Sequence, residues 1–107
     1  MMLTTVDRQI AREFQRRLVT FAPVRELYVF GSRVTGQATA ESDLDLFIEM
    51  ETLTPELRQR IFELAWEVGF EEDRVISTIV TTAEELEHGA MGANPLLFRV
   101  QREGVRL

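Results

Sequence analysis

An α/β architecture of the α+β kind, with helices packed on a small mixed sheet of three to four strands, is what the pattern of this chain predicts. Three observations carry the expectation. Apolar, strand-length runs recur at Leu27-Tyr28-Val29-Phe30, at Leu46-Phe47-Ile48 and at Val75 to Val80. Stretches with helical periodicity lie between and around them, several opened by a capping residue or a proline. The length of 107 residues suits one domain (residues 1–107) with a modest core, and no repeat or low-complexity tract interrupts it.

Residues 5 to 19 read as an amphipathic helix, capped by Thr4 or Thr5, with Asp7 complementing the dipole in its first turn. Val6, Ile10, Phe14 and Leu18 repeat every fourth residue and form its expected apolar stripe. Pro23 blocks continuation, and residues 24 to 30 form a first strand that Gly31 ends. A short helical turn over 32 to 36 and a loop over 37 to 42 lead into a second strand from about Asp43 to Met50.

Thr54-Pro55-Glu56 is a helix start: a capping hydroxyl, a proline at the first position and an acid in the first turn. Leu57, Ile61, Leu64, Ala65 and Val68 make its buried stripe, Gly69 is the expected stop, and Glu71-Glu72-Asp73 reads as a solvated turn. Val75 to Val80, β-branched apart from Ser77, is the third strand. Thr82-Ala83-Glu84-Glu85 is a capping box for a short helix ending near Gly89. A flexible loop runs from Gly89 to Ala93. Asn94-Pro95 opens a last helix through Glu103, and Val105-Arg106-Leu107 is a short extended end.

Composition narrows the function classes. With no cysteine there are neither disulfides nor cysteine metal sites, and all twelve cations are arginine, so no lysine can act as nucleophile or phosphate ligand. A net charge of −6 argues against general affinity for nucleic-acid backbone, which needs a basic surface. Glu41, Asp43, Asp45, Glu49, Glu51 and Glu71-Glu72-Asp73 crowd the middle of the chain, an arrangement better suited to a metal cation than to a polyanion. No run of about eighteen apolar residues exists and Met1-Met2-Leu3-Thr4-Thr5 has no signal-peptide pattern, so a soluble cytoplasmic protein is expected.

The chemistry-bearing stretch is Phe30-Gly31-Ser32-Arg33-Val34-Thr35-Gly36, followed by Asp43-Leu44-Asp45-Leu46. Gly31-Ser32 after a strand is compatible with an ordinary turn. It is also compatible with a phosphate site, in which turn amides and the serine hydroxyl meet anionic oxygens. Arg33 is either an exposed arginine or a charge-assisted phosphate contact. Asp43 and Asp45 project from one face of a strand and repel unless a cation lies between them. The alternative is a loop cap and a solvated sheet face. His88, alone of its kind, reads as a surface residue near a helix end. Phe62, Trp66 and Phe70 widen the apolar arc of their helix and read as core or as a protein interface rather than as an adenine platform.

Gly31-Ser32, ten intervening residues, then Asp43-Leu44-Asp45 entering a strand resembles the signature of the minimal nucleotidyltransferases, the small branch of the DNA polymerase β superfamily. The resemblance covers roughly residues 24 to 107, including the closing helix and Arg102-Glu103-Gly104-Val105. It implies a nucleotidyltransferase, polymerase β palm-like fold. It also implies ATP or another nucleoside triphosphate as substrate, Mg2+ as cofactor and a small helical HEPN-type protein as partner. Carried onto this chain, Asp43 and Asp45 are the catalytic and metal-binding carboxylates. Gly31, Ser32, Arg33 and Ser42 form the nucleotide-binding group, with Ser42 orienting the loop. No membrane partner is implied. Active relatives usually carry a third carboxylate on the following strand, and Ser77 or Thr78 holds that place here; Asp73 and Glu84 are the nearby acids. The leading expectation is transfer of a nucleoside monophosphate, AMP from ATP, to a hydroxyl of a partner protein. The alternative is a weakened, nucleotidyltransferase-like binding module, the antitoxin half of a toxin–antitoxin pair.

Overall fold

Four helices of the protein start where a side-chain oxygen accepts an amide of the first turn. Thr4 accepts from the Asp7 amide at 3.0 Å, Thr54 from Leu57 at 3.1 Å, Thr82 from Glu85 at 3.1 Å and Asn94 from Leu96 at 2.9 Å. They open α1 (Thr5–Leu18), α3 (Pro55–Glu72), α4 (Ala83–His88) and α5 (Pro95–Glu103). Each cap satisfies a donor that helical geometry leaves orphaned, worth about 1 kcal/mol. A four-residue helix, α2 (Ser32–Thr35), follows the first strand. The computed structural model describes residues 3–36, 38–39 and 42–107, so part of the expected loop over 37 to 42, Glu41 included, lies outside the described residues.

The strands are β1 (Val24–Phe30), β2 (Leu44–Met50), β3 (Ile76–Thr82) and β4 (Val105–Arg106), ordered β3-β2-β1-β4. β1 runs antiparallel to β2 and β4, and β2 runs parallel to β3. A parallel pair needs a crossover, which α3 supplies. The sheet is therefore mixed and four-stranded. The expected extended end of the chain is its fourth strand: Val105 and Arg106 pair with Val29 and Tyr28.

Alternation along β2 sorts its side chains between two layers. Leu44, Leu46, Ile48 and Met50 enter the main core with Ile10, Phe14 and Leu18 of α1 and Ile61, Leu64 and Val68 of α3. Phe47 points the other way and packs with Phe30 and Val100 of α5. Helices thus cover both faces at the middle of the sheet, while Asp45 stands on the α5 side at the start of β2. Among the described residues no helix is long and apolar enough to cross a membrane.

The structure departs from the sequence reading at several places. Val6 is exposed and its place in the α1 stripe is taken by Asp7, which is fully buried. Gly69 does not stop α3. It is buried inside the helix, which runs on through Glu71 and Glu72 and closes at Asp73 in the left-handed conformation (φ 54°). The amide of Arg74 then donates back to the Gly69 carbonyl at 2.8 Å. A Cβ on Gly69 would lie 2.5 Å from the Arg74 carbonyl oxygen, so the glycine serves the return of the chain rather than the end of the helix. β3 starts at Ile76 rather than Val75 and extends to Thr82. Residues Ala90–Ala93 form a 3-10 turn instead of a loop without structure.

Candidate active site

The site begins where β1 ends. Gly31 adopts φ 79° and ψ −158°, a region essentially closed to residues with a Cβ, and this lets the strand break directly into α2. Gly36, at φ 87°, ends that helix. Strand pairing sets Phe30 opposite Asp45, so the residue after Phe30 meets the Asp45 carboxylate. The approach is close: a Cβ on Gly31 would stand 2.2 Å from Asp45 Oδ2. Gly31 is therefore required twice, by its backbone angles and by the carboxylate beside it.

Asp43 is exposed and precedes β2, while Asp45 is half-buried one residue inside it. Burial, and next the charge of Asp43, push the Asp45 carboxyl above its ordinary pKa. Burial is the larger cause and the like charge of Asp43 the smaller. Paired carboxylates suit magnesium, which is commonly held by one or two carboxylates together with substrate phosphates. The residues present fit that ion to this extent. Among the described residues, no group of three or more Asp, Glu or His side chains is placed to hold a metal.

Register explains the shortfall. Ser77 pairs with Asp45 and Thr78 with Leu46. Paired residues of adjacent strands project to the same face, so Ser77 stands beside Asp45 whereas Thr78 turns with Leu46 toward the core. Of the two sequence candidates for the missing carboxylate's place, Ser77 is the neighbour. Asp73 sits at the exposed end of α3, and Glu84 is exposed on α4 beyond the far end of β3.

Arg33 and Ser42 are brought together, in a way the sequence did not reveal. Arg33 is only 8% exposed, so the exposed-arginine reading is overturned. Its Nε and Nη2 donate to the Ser42 carbonyl at 3.2 and 2.7 Å, and Nη1 lies 3.7 Å from Asp7 Oδ1. The guanidinium is thus turned inward, onto the residue preceding Asp43. The Ser42 hydroxyl accepts from the Thr39 amide at 2.9 Å and closes a turn with it, so this side chain shapes the loop. Ser32 opens α2 beside Gly31 and is partly exposed.

Behind the site lies an ionic cluster that sequence reasoning missed. Arg74, between α3 and β3, hydrogen-bonds through Nη2 to Asp7 Oδ1. Burial raises the Asp7 carboxyl, but the Arg74 hydrogen bond and the Arg74 and Arg33 charges outweigh it and hold its pKa below the usual value. Asp7, Arg33 and Arg74 tie α1, α2 and the α3–β3 turn to the segment that delivers Asp43. One signal was available: Asp7, Ile10, Ala11, Phe14 and Leu18 fall on one helical stripe. An aspartate within such a stripe calls for a cation. Its two partners, 26 and 67 positions away, leave no mark in local sequence.

A mixed sheet with a glycine turn facing paired aspartates at its mouth defines a protein of the nucleotidyltransferase class. The family model for the nucleotidyltransferase domain matches residues 8–99, and the chain belongs to that family. Solved structures similar in fold include a toxin–antitoxin complex with AMP-PNP, at 21% identity and TM-score 0.60, covering 88% of this chain and 69% of that one. Another holds a tri-AMPylated Shewanella oneidensis HEPN toxin in complex with an MNT antitoxin, at 18% identity and TM-score 0.54, covering 94% and 67%. The toxin–antitoxin MntA-HepT is similar at 19% identity and TM-score 0.53, covering 94% and 68%. Among curated protein sequences none matches this chain.

Proposed function

We propose that this protein transfers a nucleoside monophosphate, AMP from ATP, to a hydroxyl of a partner protein in a magnesium-dependent reaction. The observation carrying the proposal is the placement of the Asp45 carboxylate against the Gly31 turn, with Asp43 adding a second negative charge beside it. Magnesium, when bound, supplies the positive charge that draws triphosphate oxygens to the aspartates and offsets charge developing at phosphorus. Asp43 and Asp45 would hold that ion. Gly31 and Ser32 offer turn amides and a hydroxyl to the phosphates. Arg33 contributes through the Ser42 carbonyl, fixing the approach of Asp43 instead of touching nucleotide. The acceptor oxygen bonds to the α-phosphorus, the bond to the bridging oxygen breaks, pyrophosphate leaves and the hydroxyl proton passes to water. A cytoplasmic location accords with the need for ATP and magnesium.

The relatives in fold that are toxin–antitoxin complexes, one of them with an AMPylated HEPN toxin, support a helical HEPN-type protein as the acceptor. A second reading rests on a specific residue. With Ser77 beside Asp45 the metal site is one carboxylate short, which favours a binding module acting as an antitoxin without transfer. Calorimetric titration of ATP with magnesium tests the site. Binding is expected for the native protein and not for Asp43→Asn combined with Asp45→Asn; undiminished binding in the double variant removes the assignment. Labelled ATP, magnesium and a co-encoded helical partner separate the two readings. Label on the partner supports transfer, and a stable complex without label leaves the binding module.

A further inference from the structure

Beside the aspartates the surface opens into a groove of about 1040 Å³ between α3 and the start of β3. Phe62, Trp66 and Phe70 form one wall, Val75 and Ile76 the other, and Ser42 and Asp43 stand at its end. The aromatics are not core residues: they are 53%, 65% and 87% exposed, and Val75 is 63% exposed. Phe62 and Trp66 hold each other edge to face at 6.3 Å between centroids. Contiguous exposed apolar surface of this kind marks a binding site. The second wall is a sheet edge. Among the described residues β3 pairs with β2 alone, so alternate amides and carbonyls along its outer edge have no strand to meet them.

We propose, resting on the nucleotidyl-transfer reading above, that this groove docks the acceptor: an extended, basic segment of the partner protein that adds a strand to the β3 edge and presents its hydroxyl to the Asp43–Asp45 mouth. Geometry, charge and continuity select this occupant. A strand laid along β3 alternates its side chains between the two faces of the sheet. One set enters the groove against Trp66 and Phe70, and the other lies on the Ser77 face, toward Asp45. Apolar anchors and an acceptor hydroxyl thereby fall at adjacent positions of the segment. Ser77, small and exposed, leaves that path clear. Asp43 and Asp73 line the groove, and the one cation among its described lining residues, Arg74, is bound to Asp7, so the wall favours arginine or lysine in the incoming segment. A second copy of the chain would bring like charge to like charge, with −6 on each molecule. An adenine base would satisfy the aromatics but leave the β3 edge unmet.

Trp66 is the only tryptophan, so its fluorescence reports on the groove directly. The probes are synthetic peptides of about ten residues, a common strand length, alternating valine with arginine around one serine, threonine or tyrosine; a matched set carries glutamate for arginine. A blue shift of Trp66 with the basic set and none with the acidic set is expected. In Phe70→Ala and Val75→Lys variants binding of the basic peptides is expected to weaken about tenfold with ATP affinity unchanged. The Asp43→Asn, Asp45→Asn variant is expected to transfer nothing and to bind the basic peptides more weakly, since Asp43 supplies part of the groove's negative charge. Response to neither set overturns the docking proposal. So does a Trp66 shift with ATP and magnesium alone, which assigns the groove to nucleotide, and so does concentration-dependent dimerisation that buries Trp66 without peptide. Binding without transfer in the native protein leaves the docking surface standing and removes the transfer reading. Transfer whose peptide KM ignores Phe70→Ala and Val75→Lys does the reverse.

Discussion

Asp7 and the Asp43–Asp45 pair are linked through one segment, since Arg33 reaches from Asp7 to the Ser42 carbonyl and Asp43 follows Ser42. Their electrostatics are opposite. Asp7 is buried with Arg33 and Arg74 close by, and its pKa is lowered. Asp45 is half-buried with another carboxylate as its charged neighbour, and its pKa is raised. The difference separates an acid that ties elements of the fold together from a pair of acids with no cation among the causes of the Asp45 shift. Like charges at the mouth, beside a deeper carboxylate neutralised by two arginines, accord with the magnesium reading proposed above.

The comparison breaks most severely at its buried half. Asp7→Ala strips two largely buried guanidinium groups of their counter-ion and is expected to cost about 3–5 kcal/mol of folding stability, read as a lowered denaturation midpoint. At the open half, Asp43→Asn with Asp45→Asn is expected to cost transfer about 100-fold or more, the scale on which charge stabilisation at a reacting centre is lost. The same double variant is expected to hold or raise the thermal midpoint, because it relieves repulsion. A loss of stability there comparable to that of Asp7→Ala would erase the distinction drawn above.

Gly31→Ala tests the contact between the halves of the site. Its backbone angles alone cost about 1–3 kcal/mol, and the new methyl displaces the Asp45 carboxylate. Weaker ATP–magnesium affinity together with lower stability is expected. Ser77→Asp supplies the absent ligand beside Asp45, and magnesium affinity is expected to rise about tenfold, the lower end of the scale for groups that tune a metal site. Unchanged affinity in that variant would show that the register position does not complete the site.

The smallest effect is the dependence of stability on pH, and its sign differs between the two regions. Asp7 has a folded pKa below its unfolded value of about 3.9, so its contribution is complete above that pH and is lost as pH falls through the folded value. Asp45 has a folded pKa above its unfolded value. Its folded form binds the proton more tightly, so acidification from neutrality through that raised value adds stability. Denaturation midpoints measured against pH are expected to rise slightly and then fall, and the Asp43→Asn, Asp45→Asn variant is expected to lose only the rise.

Much of this was legible in the sequence because it depends on neighbours along the chain. The caps at Thr4, Thr54, Thr82 and Asn94 act across two or three residues, and the stripes of α1 and α3 repeat within a turn. Gly31-Ser32 and Asp43-Leu44-Asp45 could be read as one motif for the same reason: a strand, a turn and a strand bring them together over a short span. Where local reading failed, tertiary demands overrode it. Gly69 looked like a helix stop, but the helix continued because the residue was needed for the close return of Arg74.

The sequence by itself determined the class of fold, the turn at Gly31 and the two aspartates facing it. Only the tertiary structure decided that Arg33 turns inward, that Asp7 is a buried counter-ion, that Ser77 rather than Thr78 stands beside Asp45, and that Phe62, Trp66 and Phe70 line an open groove instead of a core. The physical reason is common to all four. Periodicity and capping are fixed by the geometry of a single element, whereas burial, ion pairing and strand register depend on what another part of the chain brings to the same place.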